Sequence, residues 1–353
     1  MKTRIALMAL NLILLFTQAS KSQDFTMSQF ETHSSIFNPA FIGSSGKDVR
    51  MAVGYRNQWF ASGYNYQTML FSSEYCVHPY PQKLKQVAAN LTFSDDQVGN
   101  GQWRNTWISL GGSATKNLDE AHKHSLTLGI SGALLLRQFN AKNLLFENQF
   151  ESSSFSFSPE ISSGENAGAV RQGFFQLNSG LMYQFLVSEN FNFKTGVSGF
   201  WLYKPQENLT NLSSNASQMN RRFTGLLSVH WKINNDLALE PQVFYSEQGN
   251  ARDVNLGGWL IFSTHIEGGQ TWHTGGGLFT RLNDSVIPAV RISNGNFTGQ
   301  FSYDITKSGA SKAGSDTKFI GIGGMGAVEF SIIYGLQLTG RARRSFPIPC
   351  QTI

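Results

Sequence analysis

Few residues of this chain are spaced for catalysis or metal binding. Residues 321–326 read Gly-x-Gly-x-x-Gly, the spacing of a dinucleotide-binding loop, but that loop needs a strand before it and a helix after it. Here a strand pattern follows instead. His122 and His124 lie close to Glu120, but a zinc site needs further ligands at defined spacing. The sequence therefore predicts no catalytic residue, no cofactor and no metal site, and a protein that is not an enzyme.

The segments around these residues alternate between apolar and polar side chains with a period of two. In 124–139, the even positions from Leu126 to Leu136 are Leu, Leu, Ile, Gly, Leu and Leu, whereas the odd positions are mostly small or polar. Similar alternation recurs in 221–233 and 296–306. Successive side chains of a strand point to opposite faces. Repeated segments of about 10 such residues are typical of a transmembrane β-barrel.

The alternation predicts an all-β protein, a transmembrane antiparallel β-barrel of about 14 strands in the outer membrane. The predicted strands are 49–59, 66–76, 86–94, 105–116, 124–139, 174–186, 191–203, 221–233, 237–247, 252–263, 272–282, 286–293, 296–306 and 327–339.

Ionisable residues fall on the polar face, which we expect to line the lumen. Charges facing lipid near the membrane midplane are costly. Both signs are present, which favours internal ion pairs over the single-sign ring of an ion-selective pore. The predicted lumenal residues are Arg56, Glu74, Arg137, Lys194, Arg222, Lys232, Glu240, Asp304 and Glu329.

Aromatic residues near strand ends suggest girdles at the two membrane interfaces. The predicted girdle residues are Trp59, Trp107, Trp201, Tyr203, Trp259 and Trp272.

The beginning of the chain and its composition agree with an exported membrane protein. Residues 1–22 have the basic start, apolar centre and small-x-small end of a cleaved signal peptide. Charged residues make up 14% of the chain and aromatic residues 13%, against about 25% charged residues in a soluble protein. The net charge of +5 is scattered along the sequence, which argues against nucleic-acid binding.

Connection lengths indicate which side of the membrane each end of the barrel faces. The connections after predicted strands 6, 8 and 12 are short, whereas 140–173, 204–220 and 307–326 are long. Outer-membrane barrels have short periplasmic turns and longer external loops. Both termini of the 49–339 barrel, and the tail 340–353, should therefore be periplasmic. Segment 23–48 is too apolar for a solvated tail, so it either plugs the lumen, which we favour, or docks on a partner.

The two cysteines suggest a bond between distant parts of the chain. Cys76 ends the second strand on the periplasmic side, and Cys350 lies in the C-terminal tail on that side. Barrel closure places strands 14, 1 and 2 side by side, about 10 Å apart from first to last, and the tail can span this gap. We predict a Cys76–Cys350 disulfide, since exported chains meet an oxidising compartment.

Several motifs, in order along the chain, resemble the PorP/SprF family of type IX secretion system membrane proteins. They comprise the Phe-Asn-Pro-Ala-Phe-Ile-Gly stretch from residue 37, the Tyr-Arg-Asn-Gln-Trp stretch from residue 55, the Ser-Tyr-Asp-Ile-Thr stretch from residue 302, the Glu-Phe-Ser-Ile stretch from residue 329 and a closing Ile-Pro-Cys. The motif positions that we single out are Asn38, Pro39, Gly43, Tyr55, Arg56, Asn57, Gln58, Trp59, Tyr303, Asp304 and Glu329.

The resemblance implies a non-enzymatic barrel in the outer membrane of a Gram-negative bacterium, serving secretion or surface anchoring of large proteins such as adhesins, and gliding motility. Its implied partners are outer-membrane lipid, a secreted cargo or adhesin at the extracellular face, and periplasmic components of the type IX machinery. Two alternatives stay open, a porin or small-solute channel and an outer-membrane lipid enzyme. An apolar segment able to fill the lumen argues against a porin or channel. The lack of a Ser/His/acid arrangement near the barrel rim argues against a lipid enzyme.

Overall fold

The computed structural model describes residues 25–60, 65–79, 84–99, 103–140, 147–151, 155–158, 160–162, 169–207, 217–265, 271–306 and 326–338. Fourteen long strands in this part of the chain form a closed antiparallel barrel. These strands are β1 (Val49–Gln58), β2 (Tyr66–Val77), β3 (Gln86–Val98), β4 (Trp103–Asn117), β5 (His124–Asn140), β8 (Ala169–Ser188), β9 (Phe191–Phe200), β12 (Arg222–Lys232), β13 (Leu237–Gln248), β14 (Ala251–His265), β15 (Thr271–Arg281), β16 (Ser285–Asn294), β17 (Phe297–Thr306) and β18 (Ala327–Leu336). The predicted fold class is confirmed.

Barrel closure joins the first and last strands in antiparallel register. Val49 of β1 pairs with Leu336 of β18, and Gln58 pairs with Ala327. Each remaining barrel strand pairs with the barrel strands before and after it in the chain, so no described barrel strand has an open edge. Closure without open edges is what lets strands cross a bilayer, because each backbone N–H and C=O finds a partner in the ladder.

Two short hairpins lie in the long connections. β6 (Phe150–Glu151) pairs with β7 (Ser156–Phe157) between β5 and β8. β10 (Gln206–Glu207) pairs with β11 (Ser217–Gln218) between β9 and β12. At the opposite end of the barrel, residues 189–190, 233–236 and 295–296 form short turns.

Side chains alternate across the barrel wall as the sequence pattern predicts. In β5, Leu128 and Ile130 are each 60% exposed on the outer face, whereas Leu135 is fully buried on the inner face. Thr127 and Ser131 are also buried. The outer face of this strand is therefore the apolar one, as lipid contact requires.

Three of the predicted girdle tryptophans are placed wrongly by the sequence analysis. Trp107, Trp201 and Trp259 are buried, with exposures of 7%, 0% and 0%. Trp107 shares the inner phase of β4 with Asn105, whereas the next residue, Ile108, is exposed on the outer face. Strand phase, rather than nearness to a strand end, decides which way such a ring points.

Residues 25–48, named here the N-terminal segment, contain a four-residue helix α1 (Ser34–Phe37) and a 3-10 helix at Pro39–Phe41. Among the described residues, no helix is long and apolar enough to span a membrane. Residues 1–24 and the tail 340–353 lie outside the described residues.

Candidate functional site

The N-terminal segment contacts inward-facing side chains on several sides of the barrel. Its local fold follows from a few residues. Asn38 is extended and its Oδ1 accepts a hydrogen bond from Ala40 N at 2.9 Å, which caps the 3-10 helix, and Pro39 suits the first helical position. Gly43 has φ +75°, a conformation that favours glycine.

Arg56 is the centre of a buried charge cluster that holds the beginning of this segment. Its Nη2 lies 2.7 Å from Asp304 Oδ2, and its Nη1 lies 3.0 Å from Glu329 Oε2. Arg56 also donates to Ser28 Oγ at 2.6 Å, and Ser28 Oγ lies 2.8 Å from both oxygens of Asp304. The Glu329 carboxylate accepts the backbone N–H groups of Ser28 and Gln29 at 2.8 and 2.7 Å. Segment and barrel therefore share one network of charge-assisted hydrogen bonds.

A second buried cluster surrounds Arg291 on β16. Its Nη2 lies 3.3 Å from Glu31 Oε1 of the segment, and its Nη1 lies 2.9 Å from Glu240 Oε2 of β13. The guanidinium also stacks over the Trp259 ring at 4.1 Å, and Trp259 Nε1 donates to Glu31 at 3.1 Å. His230 binds the other oxygen of Glu240 at 2.8 Å. Glu31 thus anchors the segment to a second part of the wall, formed by β13, β14 and β16.

A third set of contacts fixes the end of the segment. The Gly43 N–H donates to Glu74 Oε2 at 2.8 Å, and Arg50 lies 3.2 Å from Glu74 Oε1. Arg50 also donates to the Thr32 carbonyl. Lys194 Nζ donates to the Ser44 carbonyl at 2.8 Å. These bonds satisfy backbone groups of an irregular segment that would otherwise be costly to bury.

Glycines of the wall make room for the turn at Asn38. A Cβ atom built on Gly180 of β8 would overlap the Asn38 amide, and one built on Gly129 of β5 would overlap the Pro39 backbone. Asn38 Nδ2 donates to the Val197 carbonyl at 3.2 Å. The segment can therefore pack this close to the wall only because residues 129 and 180 are glycines.

Aromatic packing completes the contact between segment and wall. Phe30 stacks on Phe244 of β13 with ring centroids 5.2 Å apart, and Phe37 meets the same ring edge-on at 5.1 Å. Met27, Phe30 and Phe37 have exposures of 1%, 0% and 1%. Their burial adds an apolar contribution of about 1.5–3 kcal/mol for each large side chain.

His33 is an unusual member of the segment, because it is fully buried and neither of its ring nitrogens is hydrogen-bonded to any described residue. Burial, and secondly the nearby Arg50 charge, lower the pKa of His33 to about 3. The ring is therefore neutral in this environment.

Other positions singled out from the sequence lie at the rim or on the outer wall. Tyr55 is 41% exposed on the outer face. Asn57 Oδ1 accepts from Asn65 at 3.4 Å. Trp59, which follows Gln58 at the end of β1, has φ 58° and packs edge-on against Tyr66. Tyr303 alternates with Asp304 and is partly exposed. Within the described residues, the contacts of the segment thus include Asn38, Gly43, Arg56, Asp304 and Glu329.

The remaining chemical candidates are held in ordinary contacts. His122 Nδ1 lies 2.6 Å from Asn117 Nδ2, and His124 Nδ1 lies 2.6 Å from the Tyr183 hydroxyl. Among the described residues, no group of three or more His, Cys, Asp or Glu side chains is arranged to hold a metal. Cys76 is buried, but Cys350 lies outside the described residues, as do residues 321–325 of the glycine-rich stretch. The disulfide therefore stays a prediction.

Sequence reasoning missed several residues of these clusters. Ser28 and Glu31 have no periodic signal because the segment is irregular. Arg281 and Arg291 lie on the inward phase of their strands, and strand phase could have found them. Arg281 Nη2 donates to Ser28 Oγ at 3.1 Å.

A closed antiparallel barrel with an apolar outer wall and buried ion pairs in its interior is an outer-membrane β-barrel of the Gram-negative type. The family model for type IX secretion system membrane protein PorP/SprF matches residues 19–322. The chain therefore belongs to the PorP/SprF family and is an outer-membrane component of the type IX secretion system.

Solved structures of similar shape include the Ralstonia pickettii toluene transporter TbuX, at 10% identity and TM-score 0.48, covering 87% of this chain and 93% of that one. A Pseudomonas aeruginosa FadL homologue matches at 10% identity and TM-score 0.47, covering 87% and 94%. The NanC porin matches at 12% identity and TM-score 0.36, covering 82% and 100%. None of the curated protein sequences compared with the chain matches it. These similarities are too low to carry a transport activity to this chain.

Proposed function

We propose that this barrel is a binding component of the type IX system, which supports secretion or surface anchoring of a large cell-surface protein, such as an adhesin used in gliding. The family match over residues 19–322 carries the proposal. In this proposal the long-loop end meets the cargo, and the short-turn end meets periplasmic components of the machinery. The protein acts by holding its partners rather than by catalysis.

The way the N-terminal segment is held supports binding over free diffusion of solutes. Three separate groups of buried contacts, around Arg56, Arg291 and Glu74, connect it to the wall. Many hydrogen bonds to charged groups are expected to keep such a segment in place, since each contributes about 1.5–3 kcal/mol. We propose that the segment closes the lumen to solutes.

The β6–β7 hairpin supports a partner at the long-loop end. Phe150, Phe155 and Phe157 are 40%, 84% and 47% exposed, and Phe150 lies edge-on to both other rings at 6.3 and 5.2 Å. Exposed aromatic clusters are typical of protein interaction sites. Residues 147–162 contain Glu147, Glu151 and Glu160 but no Lys or Arg, so we expect the cargo surface to be apolar with basic residues around it.

Gene deletion tests the secretion role. The deletion strain should lose surface display of one or a few large secreted proteins, measured by surface labelling and mass spectrometry. Its uptake of small solutes should stay unchanged. A strain in which a short loop replaces residues 143–170 should reproduce much of the defect while the barrel still assembles. Normal display in the deletion strain would remove the proposal.

Planar-bilayer recording separates this function from the rival channel function. The intact protein should show little conductance, and deletion of residues 26–44 should raise it, because the wall contacts of the segment are then lost. A large, steady conductance from the intact protein would favour a small-solute channel instead.

A further inference from the structure

A row of polar residues crosses the outer face of the barrel at its long-loop end. The row consists of Gln67 of β2, Gln97 of β3, Arg104 of β4, Gln138 of β5 and Arg171 of β8. Each of these residues is the register partner of the next one. Neighbouring strands are about 5 Å apart, so amide and guanidinium donors stand side by side across five strands. These five residues are named here the basic row.

The basic row borders an apolar part of the outer wall. Ile108, Leu134 and Phe175 lie four positions further into the barrel on β4, β5 and β8, and they are register partners of one another. Their exposures are 48%, 58% and 53%. Hydrocarbon chains of lipid are the natural neighbours of such a surface, so a headgroup above these chains would meet the basic row.

The length of β4 places Arg104 at the level of the lipid headgroups. Arg104 and Lys116 are both exposed on its outer face, 12 positions apart. A strand that rises about 3.3 Å per residue and is tilted by about 40° covers about 30 Å of membrane thickness over this length. The apolar band of an outer-membrane barrel is about 25 Å tall. The two charges therefore lie just outside the band, and with the long loops external Arg104 faces the outer leaflet.

Arg104 is held in place by a carboxylate that leaves part of its guanidinium free. Its Nε donates to Asp95 Oδ1 at 2.7 Å, and Asp95 also accepts hydrogen bonds from Gln97 at 2.6 Å and Thr106 at 2.7 Å. The Asp95 side chain is 10% exposed and that of Arg104 is 45% exposed. The two terminal nitrogens of Arg104 donate to no described residue, so they are available to a ligand oxygen.

Arg171 gives the basic row a net positive charge. Asp95 balances the charge of Arg104, whereas Arg171 is exposed and forms no ion pair with any described carboxylate, including the glutamates of the β6–β7 connection. Residues 141–146 and 163–168, which flank this connection outside the described part, contain one lysine and one glutamate. They therefore add no net charge. A surface of this kind attracts anions, and guanidinium groups suit phosphate oxygens best.

We propose that the basic row binds the phosphate of an outer-leaflet lipid. Arg104 and Arg171 are two strands apart, about 10 Å between backbones, so both side chains can reach one headgroup. The amides of Gln97 and Gln138 donate to its remaining oxygens, and its acyl chains lie over Ile108 and Phe175. This assignment goes beyond the secretion role and does not depend on it.

Native mass spectrometry of the delipidated full-length protein in mild detergent tests the site. The probes are phosphorylated lipid A, which is the phosphate-bearing lipid of this leaflet in Gram-negative bacteria, and the same lipid after chemical removal of its phosphates. The phosphorylated lipid should bind more tightly. Inorganic phosphate at the same concentration should not displace it, because the acyl contacts are then missing.

Arginine variants locate the site on the barrel. Arg104→Gln and Arg171→Gln should each weaken binding of phosphorylated lipid A about tenfold, the loss expected for one hydrogen bond to a charged group. The double variant should bind the two forms of the lipid equally. Arg252→Gln is the matched control, because Arg252 also lies on the outer face at the long-loop end, with a side chain that is 70% exposed, but is paired with Glu247 on β13. Its replacement should leave the affinity unchanged.

Four results would overturn the proposal. They are equal binding of the two lipid forms by the unmodified protein, a double variant that binds as tightly as the unmodified protein, an Arg252→Gln loss equal to that of Arg171→Gln, and displacement of the lipid by inorganic phosphate. Folding of each variant is checked by its heat-dependent mobility on gels. If the double variant does not fold, Arg171→Gln alone provides the test, since Arg171 has no described ion pair to lose.

Discussion

Replacement of Arg56 by Met should release the beginning of the N-terminal segment. Arg56 lies within hydrogen-bond distance of Ser28, Asp304 and Glu329. The side chains of Asp304 and Glu329 are only 3% and 0% exposed. Met has a similar length but no charge. In the variant, the buried carboxylates of Asp304 and Glu329 therefore lose the positive charge that they share.

The cost follows from the loss of one partner in a buried ion pair, which is about 3–5 kcal/mol. Arg281 lies 3.4 Å from Asp304 in the unmodified protein and is retained in the variant, so we expect the lower end of this range. The least costly response is local opening, because water can then reach Glu329 while the strand ladders of β1 and β18 stay intact. A change of about 3 kcal/mol corresponds to roughly a hundredfold increase in opening.

Hydrogen exchange followed by mass spectrometry measures this opening directly. The amides of Ser28 and Gln29 donate to Glu329, so a peptide containing them should exchange roughly a hundredfold faster in Arg56→Met. Arg104→Met is the control, because Arg104 pairs with Asp95 through a side chain that is 45% exposed. Exposed ion pairs contribute little, so segment exchange should not change there.

Neutralising both carboxylates as well should restore much of the protection. In Arg56→Met/Asp304→Asn/Glu329→Gln no buried charge of this group is left unpaired. The reasoning would be refuted if a folded Arg56→Met protein exchanged at the unmodified rate around Ser28.

Three further predictions address the wall, the seat of the segment and the cysteines. Ile130→Arg should reduce barrel assembly far more than Ser131→Arg, because Ile130 is 60% exposed on the outer face and a lipid-facing Arg costs about 2–4 kcal/mol at the midplane. Equal folded fractions of the two variants on unheated gels would contradict this strand register. Gly180→Val should increase exchange around Asn38 by displacing its amide, an overpacking cost of about 1–3 kcal/mol, whereas Gly276→Val, which has open space, should not. Alkylation without reduction should leave both cysteines unlabelled if they form the predicted disulfide, and labelling of both in mass spectra would exclude it.

Much of the fold could be predicted because strand alternation is a local property of the sequence. Leu128 and Ile130 belong to the outer face and Ser131 to the inner face whatever the rest of the chain does. Lipid excludes charge from one face, so the same alternation places Arg56, Asp304 and Glu329 inside.

Only the tertiary structure decides which of the inward residues meet. Ser28 and Glu329 are 301 positions apart, and barrel closure between β1 and β18 brings Glu329 beside Arg56. Glu31 of the N-terminal segment pairs with Arg291 of β16. Because the segment is irregular, no periodic pattern in the sequence predicts this pair. The sequence by itself determined that this chain forms a membrane barrel with a charged interior, because that depends on residues one and two positions apart. The pairing of those charges with the N-terminal segment depends on closure of the whole barrel, and was therefore decided only by the tertiary structure.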